Sequence, residues 1–168
     1  MCQAWSVSFQ QGMHFHLRPN LSVLLMSRRA NAPYRDSVEE SGKVLIYEGH
    51  DAPRRKGDPD PKSIDQPRAS STGKLTQNGL FEKAANDSKE GLKSSEVVAV
   101  YEKIHAGIWA FNGFFRLTDC WQERGDARSV FKIPSRTRRR SRYRSCALRE
   151  PTPHTHDSFG CEARSLAT

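Results

Sequence analysis

Six histidines, four cysteines and nineteen acidic residues are the groups that could do chemistry, so their spacing is the first question. His50-Asp51 is an adjacent pair able to move a proton, but no nucleophile motif accompanies it and a polar stretch follows; it reads as a loop hinge. His14 and His16 alternate and could chelate a metal, yet no carboxylate or third ligand is near in sequence, and a plain strand pair accounts for them. His154 and His156 with Cys146 and Cys161 are the right types for zinc at the wrong spacing for a finger. A metal nuclease of the HNH kind needs a ββα unit around its histidines, and no such context surrounds any His-Asn-His set. Ser129 and Ser135 lack GxSxG surroundings, and Gly73-Lys74 lacks the leading glycine of a phosphate loop. The sequence therefore presents no catalytic, metal or cofactor motif. Taken alone, Tyr34-Arg35-Asp36 is a turn after Pro33, and Tyr47 is a core or half-buried strand tyrosine.

The elements that must position any site follow from periodicity. His14–Leu17 alternates and could be a short strand, and Leu21 to Met26 is a compact apolar run ending at Ser27-Arg28-Arg29. Lys43-Val44-Leu45-Ile46-Tyr47-Glu48, bounded by Gly42 and Gly49, is the strongest strand signal. Residues 50–76 hold four prolines, many charges and little apolar content, which predicts a long exposed loop, functional or disordered. A short amphipathic helix follows Asn78-Gly79, with Leu80, Phe81, Ala84 and Ala85 on one side and Gly91 as its stop. Val97–Ile104, Gly107–Phe111, Phe114–Trp121 and Val130–Ile133 read as further strands. About six strands and one clear helix predict an α+β fold built on a small curved sheet or partial barrel.

Three segments are expected: a poorly defined 1–11, a domain over 12–134, and an Arg-rich disordered tail over 135–168. The chain has 168 residues, 36% hydrophobic and 27% charged, enough for one domain with a modest core. Its net charge of +8 is concentrated: residues 135–168 carry eight arginines against three acids. The rest is an ordinary soluble domain by charge. Cys2, Cys120, Cys146 and Cys161 form no CxxC and read as free thiols in a reducing compartment. The longest apolar run is far below the ~20 residues of a membrane span, and no secretory signal opens the chain. A cytoplasmic location without membrane attachment is the expectation.

Four segments in order resemble the SRA (YDG) domain, in particular the bacterial type found with HNH endonucleases. Tyr34-Arg35-Asp36, acidic Glu39-Glu40 and the strand ending Tyr47-Glu48-Gly49 look like the family's Tyr/Asp loop and Tyr-x-Gly strand. Asp65-Gln66-Pro67 with Leu75-Thr76-Gln77-Asn78-Gly79-Leu80 resembles its Asp-Gln pair and Asn-containing helix start. Val98-Ala99-Val100-Tyr101 resembles its Val-Arg-Val strand. Phe111-Asn112-Gly113 stands where the family has Tyr-Asp-Gly, followed by a strand and Trp121. The likeness covers about residues 12–133.

That resemblance implies a PUA-like curved, partly closed β-barrel with one or two short helices. It also implies a DNA-binding module that flips a modified cytosine, 5-methyl or 5-hydroxymethyl, out of the duplex. Tyr34 and Tyr47 would supply aromatic faces, Asp36 would accept from the cytosine amine, and Gly49 would complete the pocket. Arg28, Arg29, Arg54, Arg55 and Lys56 would grip phosphates, and the 50–76 loop would insert behind the flipped base. Asn112 and Gly113 would serve a turn or bulge. The implied partners are double-stranded DNA and a nuclease domain or partner chain, with no cofactor. Three other readings stay open: a nuclease with an unrecognised active site, a PUA-like RNA-binding or interaction domain, and a non-functional fragment. The tail could be a DNA-binding arm, the altered remainder of a longer protein that lost its nuclease domain, or inert; the abrupt change after Ile133 favours the second.

Overall fold

Among the described residues, eight strands and one α-helix follow in the order β1 (Met13–Arg18), β2 (Leu21–Met26), β3 (Ser37–Glu39), β4 (Val44–Glu48), α1 (Gln77–Lys89), β5 (Val97–His105), β6 (Ile108–Leu117), β7 (Trp121–Arg124) and β8 (Ser129–Thr137). The computed structural model describes residues 12–137 apart from Asn20, Arg55 and Asp126. The expected 1–11 segment, Arg55 and the tail beyond Thr137 lie outside the described residues. Among those described, no helix is long and apolar enough to cross a membrane.

One sheet holds all the strands, in the order β1-β2-β5-β6-β8-β4-β3, with β7 pairing to β8. β2 and β5 run parallel and every other pair is antiparallel. A parallel pair needs a long crossover, and the chain between β2 and β5 supplies it with β3, β4, the 50–76 segment and α1. No ladder among the described residues joins β1 to β3. The sheet nevertheless curls on itself, because Met13 of β1 and Tyr47 of β4, far apart in strand order, belong to one buried core with Phe81, Phe115, Phe131 and Ile133. This is the expected α+β, partly closed barrel. A smaller cluster of Val23, Leu25 and Ala99, with Tyr101 and Trp109 packed against it, lies apart from that core.

The helix starts where the Thr76 side chain accepts from the Gly79 N–H. Phe81 and Ala85, four apart, are its buried stripe. Phe81 meets Phe15 of β1 edge to face, with centroids 5.4 Å apart. Burying one such phenylalanine stabilises the fold by roughly 1.5–3 kcal/mol.

Four expectations change. The run from Gly107 to Trp121 is one long strand followed by a short one, not a pair broken at Asn112-Gly113. Val100 faces Gly113 while Tyr101 faces Phe111, so Asn112 is the extra residue of a β-bulge. β3, a three-residue strand paired to β4, had no sequence signal of its own. The last strand does not stop at Ile133 but passes through Pro134 to Thr137. Pro134 is tolerated because its carbonyl, accepting from Thr118 N–H at 3.0 Å, faces the junction where β8 changes neighbour from β7 to β6. Its missing N–H faces that same junction. The 50–76 segment, finally, is not uniformly exposed: Gln66 is buried, Pro61–Ser63 is a single 3-10 turn capped by Asp60, and Ala69 bridges Leu75.

Candidate functional site

Between the end of β2, the loop after it and the end of β4 lies a cavity of about 500 Å³. That is within the range of small-ligand sites and ample for one nucleobase. Tyr34, Asp36, Tyr47 and His50 line it, together with Lys103 and Trp109 from the β5–β6 hairpin.

Asp36 holds the cavity's two sides together. One carboxylate oxygen accepts the Ser27 N–H at 2.8 Å and the other the Glu48 N–H at 3.0 Å. Each oxygen keeps lone-pair capacity for a ligand. Burial pushes this carboxyl up to about 6, against the pull of those two N–H groups.

Tyr47 is placed differently from an accessible stacking face. It is 2% exposed and belongs to the core. Its hydroxyl lies 3.0 Å from His50 Nε2. Burial raises its phenol well above the ordinary range and pushes His50 down to about 4, so both are neutral near pH 7. A neutral phenol beside a neutral imidazole fixes the ring of His50 through one hydrogen bond. His50 in turn lies parallel to Tyr34, with 17° between planes and 5.5 Å between centroids. The parallel pair of rings in this cavity is therefore Tyr34 with His50.

The backbone of Gly49 and His50 is clamped by two amides. Asn78 accepts from the His50 N–H and donates to the His50 carbonyl, both at 2.8 Å. Gln66 donates to the Gly49 carbonyl at 2.6 Å and accepts from the Phe131 N–H at 2.7 Å. A Cβ on Gly49 would stand 2.6 Å from Asn78 Oδ1, 2.8 Å from Phe131 Cβ and 2.9 Å from Gln66 Oε1. Gly49 thus shapes the site by letting the amides close in, and lines no wall.

Behind the Tyr34 loop is a second cavity of about 390 Å³, edged by Arg35, Glu48, Lys62, Arg128 and Lys132. Buried Arg128 reaches Asp51 at 2.5 Å and lies 3.6 Å from Glu48. Burial raises the Asp51 carboxyl, but hydrogen bonds from Lys62, Gln66 and Arg128 outweigh it and hold the group below its ordinary value. Lys62 ties this network to the site: its ammonium donates to the Pro33 carbonyl at 2.6 Å, pairs with Asp51 at 2.8 Å and lies 4.0 Å from the Tyr34 ring centroid.

Of the expected phosphate-gripping residues, Arg29 lies at the cavity and is exposed. Arg28 is paired with Glu102 at 2.7 Å. Arg54 and Lys56 are exposed. Asn112 donates to Glu102 at 3.0 Å, and Gly113 follows it at φ +114° with open space around its would-be Cβ. His16 meets a carboxylate distant in sequence, Glu96, at 3.1 Å. Among the described residues no three of His, Cys, Asp and Glu gather to hold a metal. His50, Lys103 and Trp109 went unread as cavity residues; the one local signal was that His50 directly follows Gly49.

No protein-family model matches the chain, and no curated protein matches it. Solved structures do. The SRA domain of SUVH5 in complex with hemi-methylated CG DNA aligns at 22% identity over 76% of this chain and 72% of that one, with a TM-score of 0.50. The same domain with fully methylated CG DNA aligns at 21% identity over 76% and 73%, with a TM-score of 0.51. At these identities the likeness establishes an SRA-type fold.

Proposed function

We propose that the chain is a DNA-binding module whose cavity receives a modified cytosine, 5-methyl or 5-hydroxymethyl, extruded from the duplex. The observation that carries this reading is the convergence of two parallel rings and a carboxylate on one cavity of base-holding size. A base enclosed by flat rings gains roughly 1–3 kcal/mol of stacking. Tyr34 and His50 are the two rings, and their 5.5 Å separation must widen to admit the base between them. Ionised Asp36 accepts from the exocyclic amine that cytosine has and thymine lacks. The fold shared with SRA domains crystallised on methylated DNA supports the same reading.

The test is binding to paired duplexes that differ only in the 5-substituent of one cytosine, at fixed moderate salt, because phosphate contacts alone mimic affinity. Tyr34→Ala and His50→Ala are the informative variants. Tyr47→Ala would also excavate the core, so a loss there would not separate pocket from fold. Modified duplex should bind tighter, and either substitution should remove the difference. Equal binding to all duplexes by the unaltered protein defeats the reading.

In this proposal, cutting of the recognised DNA falls to an HNH-type nuclease domain or partner chain, as the resemblance to the bacterial type implies. The purified chain with Mg²⁺ should leave modified plasmid intact; cleavage would favour the reading as a nuclease.

A further inference from the structure

The cavity of about 390 Å³ behind the Tyr34 loop holds no base in the reading above, yet its walls are rich in charge. Residues of the loop alternate between the two cavities: Tyr34 and Asp36 line the first, and Arg35 between them lines the second. Lys62, Arg128 and Lys132 are its other cations, set against Glu48 and the exposed Glu123. With Asp51 bound to Arg128 from behind, four cations meet three carboxylates, and one positive charge is left over.

Hydrogen bonding shows where that surplus lies. Arg128 is 8% exposed, and its hydrogen bonds to Asp51 and the Pro61 carbonyl both leave from Nη1. Its Nη2 stands 3.6 Å from Glu48, an ion-pair approach too long for a hydrogen bond. A guanidinium carries five N–H donors, so this buried one keeps donors for a ligand in the cavity it lines. Glu48 is already matched by Arg128 and Lys132, and Arg35 has no ion pair among the described residues. The cations come from three parts of the chain: the loop before β3, the 3-10 turn at Pro61–Ser63, and the start of β8. A planar carboxylate offers acceptors in one plane only. A phosphate offers oxygens in all directions, and arginine grips it with paired N–H groups. A phosphodiester inside a duplex has a sugar on either side, which keeps it from a buried nitrogen; a phosphate with at most one substituent is not so hindered.

We propose that this second cavity binds a phosphate, either inorganic phosphate or a terminal phosphate monoester, which bridges Arg35 of the Tyr34 loop to Arg128 at the foot of β8. The site is separate from the one that receives the base, with Ala32 and Pro33 as the wall between them. A bound phosphate therefore fastens the loop that carries Tyr34.

The experiment titrates the full chain by calorimetry with inorganic phosphate and, separately, with methyl phosphate, at an ionic strength held constant with chloride. Saturable one-to-one binding is expected, and the ligand that binds tighter identifies the source of the phosphate. Arg35→Gln should weaken binding about tenfold, through the loss of one charge-assisted contact. Its melting temperature should stay at that of the unaltered chain, because Arg35 holds no carboxylate. Lys74→Gln removes an exposed cation from the 50–76 segment and should leave phosphate binding unchanged. Amide exchange at residues 34–36 should slow when phosphate is bound. Equal weakening in the two variants overturns the site in favour of general charge, as does a response that chloride reproduces. Binding without slower exchange overturns the bridge. Displacement of phosphate by unmodified duplex also overturns the proposal, by making the cavity a contact for the DNA backbone. No readout uses modified DNA, so the base-flipping reading and this one fail independently.

Discussion

Asp36 and His50 face the same cavity with opposite electrostatic histories. Asp36 is pushed up to about 6 from an ordinary 3.8, so the stability it contributes is complete below 3.8 and is lost as pH rises through about 6. His50 is pushed down to about 4 from 6.5, so its contribution is present above 6.5 and is lost as pH falls through about 4. Between pH 4 and 6.5 the two oppose each other. Asp36→Asn should therefore leave a melting temperature that falls on acidification, and His50→Gln one that rises, when each is scanned across that window. Matching profiles in the two variants would contradict the buried, opposed placement. Gly49 makes a second demand at this scale. Gly49→Ala forces a methyl against two clamped amides and Phe131 and should cost about 1–3 kcal/mol in urea unfolding, with a neutral result excluding the tight clamp. Tyr34, Asp36 and Gly49 were singled out through the family resemblance; Tyr34 and Asp36 line the cavity, while Gly49 lies outside its wall. His50 was not read as a cavity residue, since its orientation comes from Tyr47 beneath it and Asn78 across from it, and Asn78 is 28 residues away.

At the scale of elements, the parts that alternate cleanly were readable and those sustained by side-chain bonds were not. Val44–Glu48 and Leu21–Met26 are buried strands whose apolar content announces them. The 50–76 segment announces only a loop, yet Gln66 and Asp65 tie it to β8: the Gln66 side chain accepts from the Phe131 N–H, and the Asp65 side chain from the Ser129 N–H, both at 2.7 Å. Polar side chains doing the work of a ladder leave no period to detect. Asn112-Gly113 shows the same limit, since a bulge and a break look alike in sequence and only the partner strand tells them apart. Lys62 permits an element-scale prediction. It fastens the Tyr34 loop through Pro33 and Asp51, but it is exposed, and such bonds add little to global stability. Lys62→Met should leave the melting temperature nearly unchanged while amide exchange at residues 34–36 quickens. A large drop in melting temperature without faster local exchange would place Lys62 in the global fold instead.

For the whole molecule, the excess charge and the candidate cavity lie in different parts of the chain. Residues 138–168 hold seven arginines against three acids, half of the net +8, while the cavity is built entirely from residues before Thr137. Affinity drawn from phosphate neutralisation falls with salt in proportion to the number of phosphates met, whereas a base held in a cavity contributes a term that salt barely alters. Ending the chain after Thr137, where β8 ends, removes the arginine run and leaves every strand of the sheet intact. The shortened chain should bind all duplexes more weakly at low salt and show a flatter dependence of log affinity on log salt. Its ratio of affinities for modified over unmodified duplex should match that of the full chain, measured at several salt concentrations. A ratio that collapses on truncation would move base discrimination out of the cavity, while an unchanged salt slope would mean that the arginine run meets no phosphate.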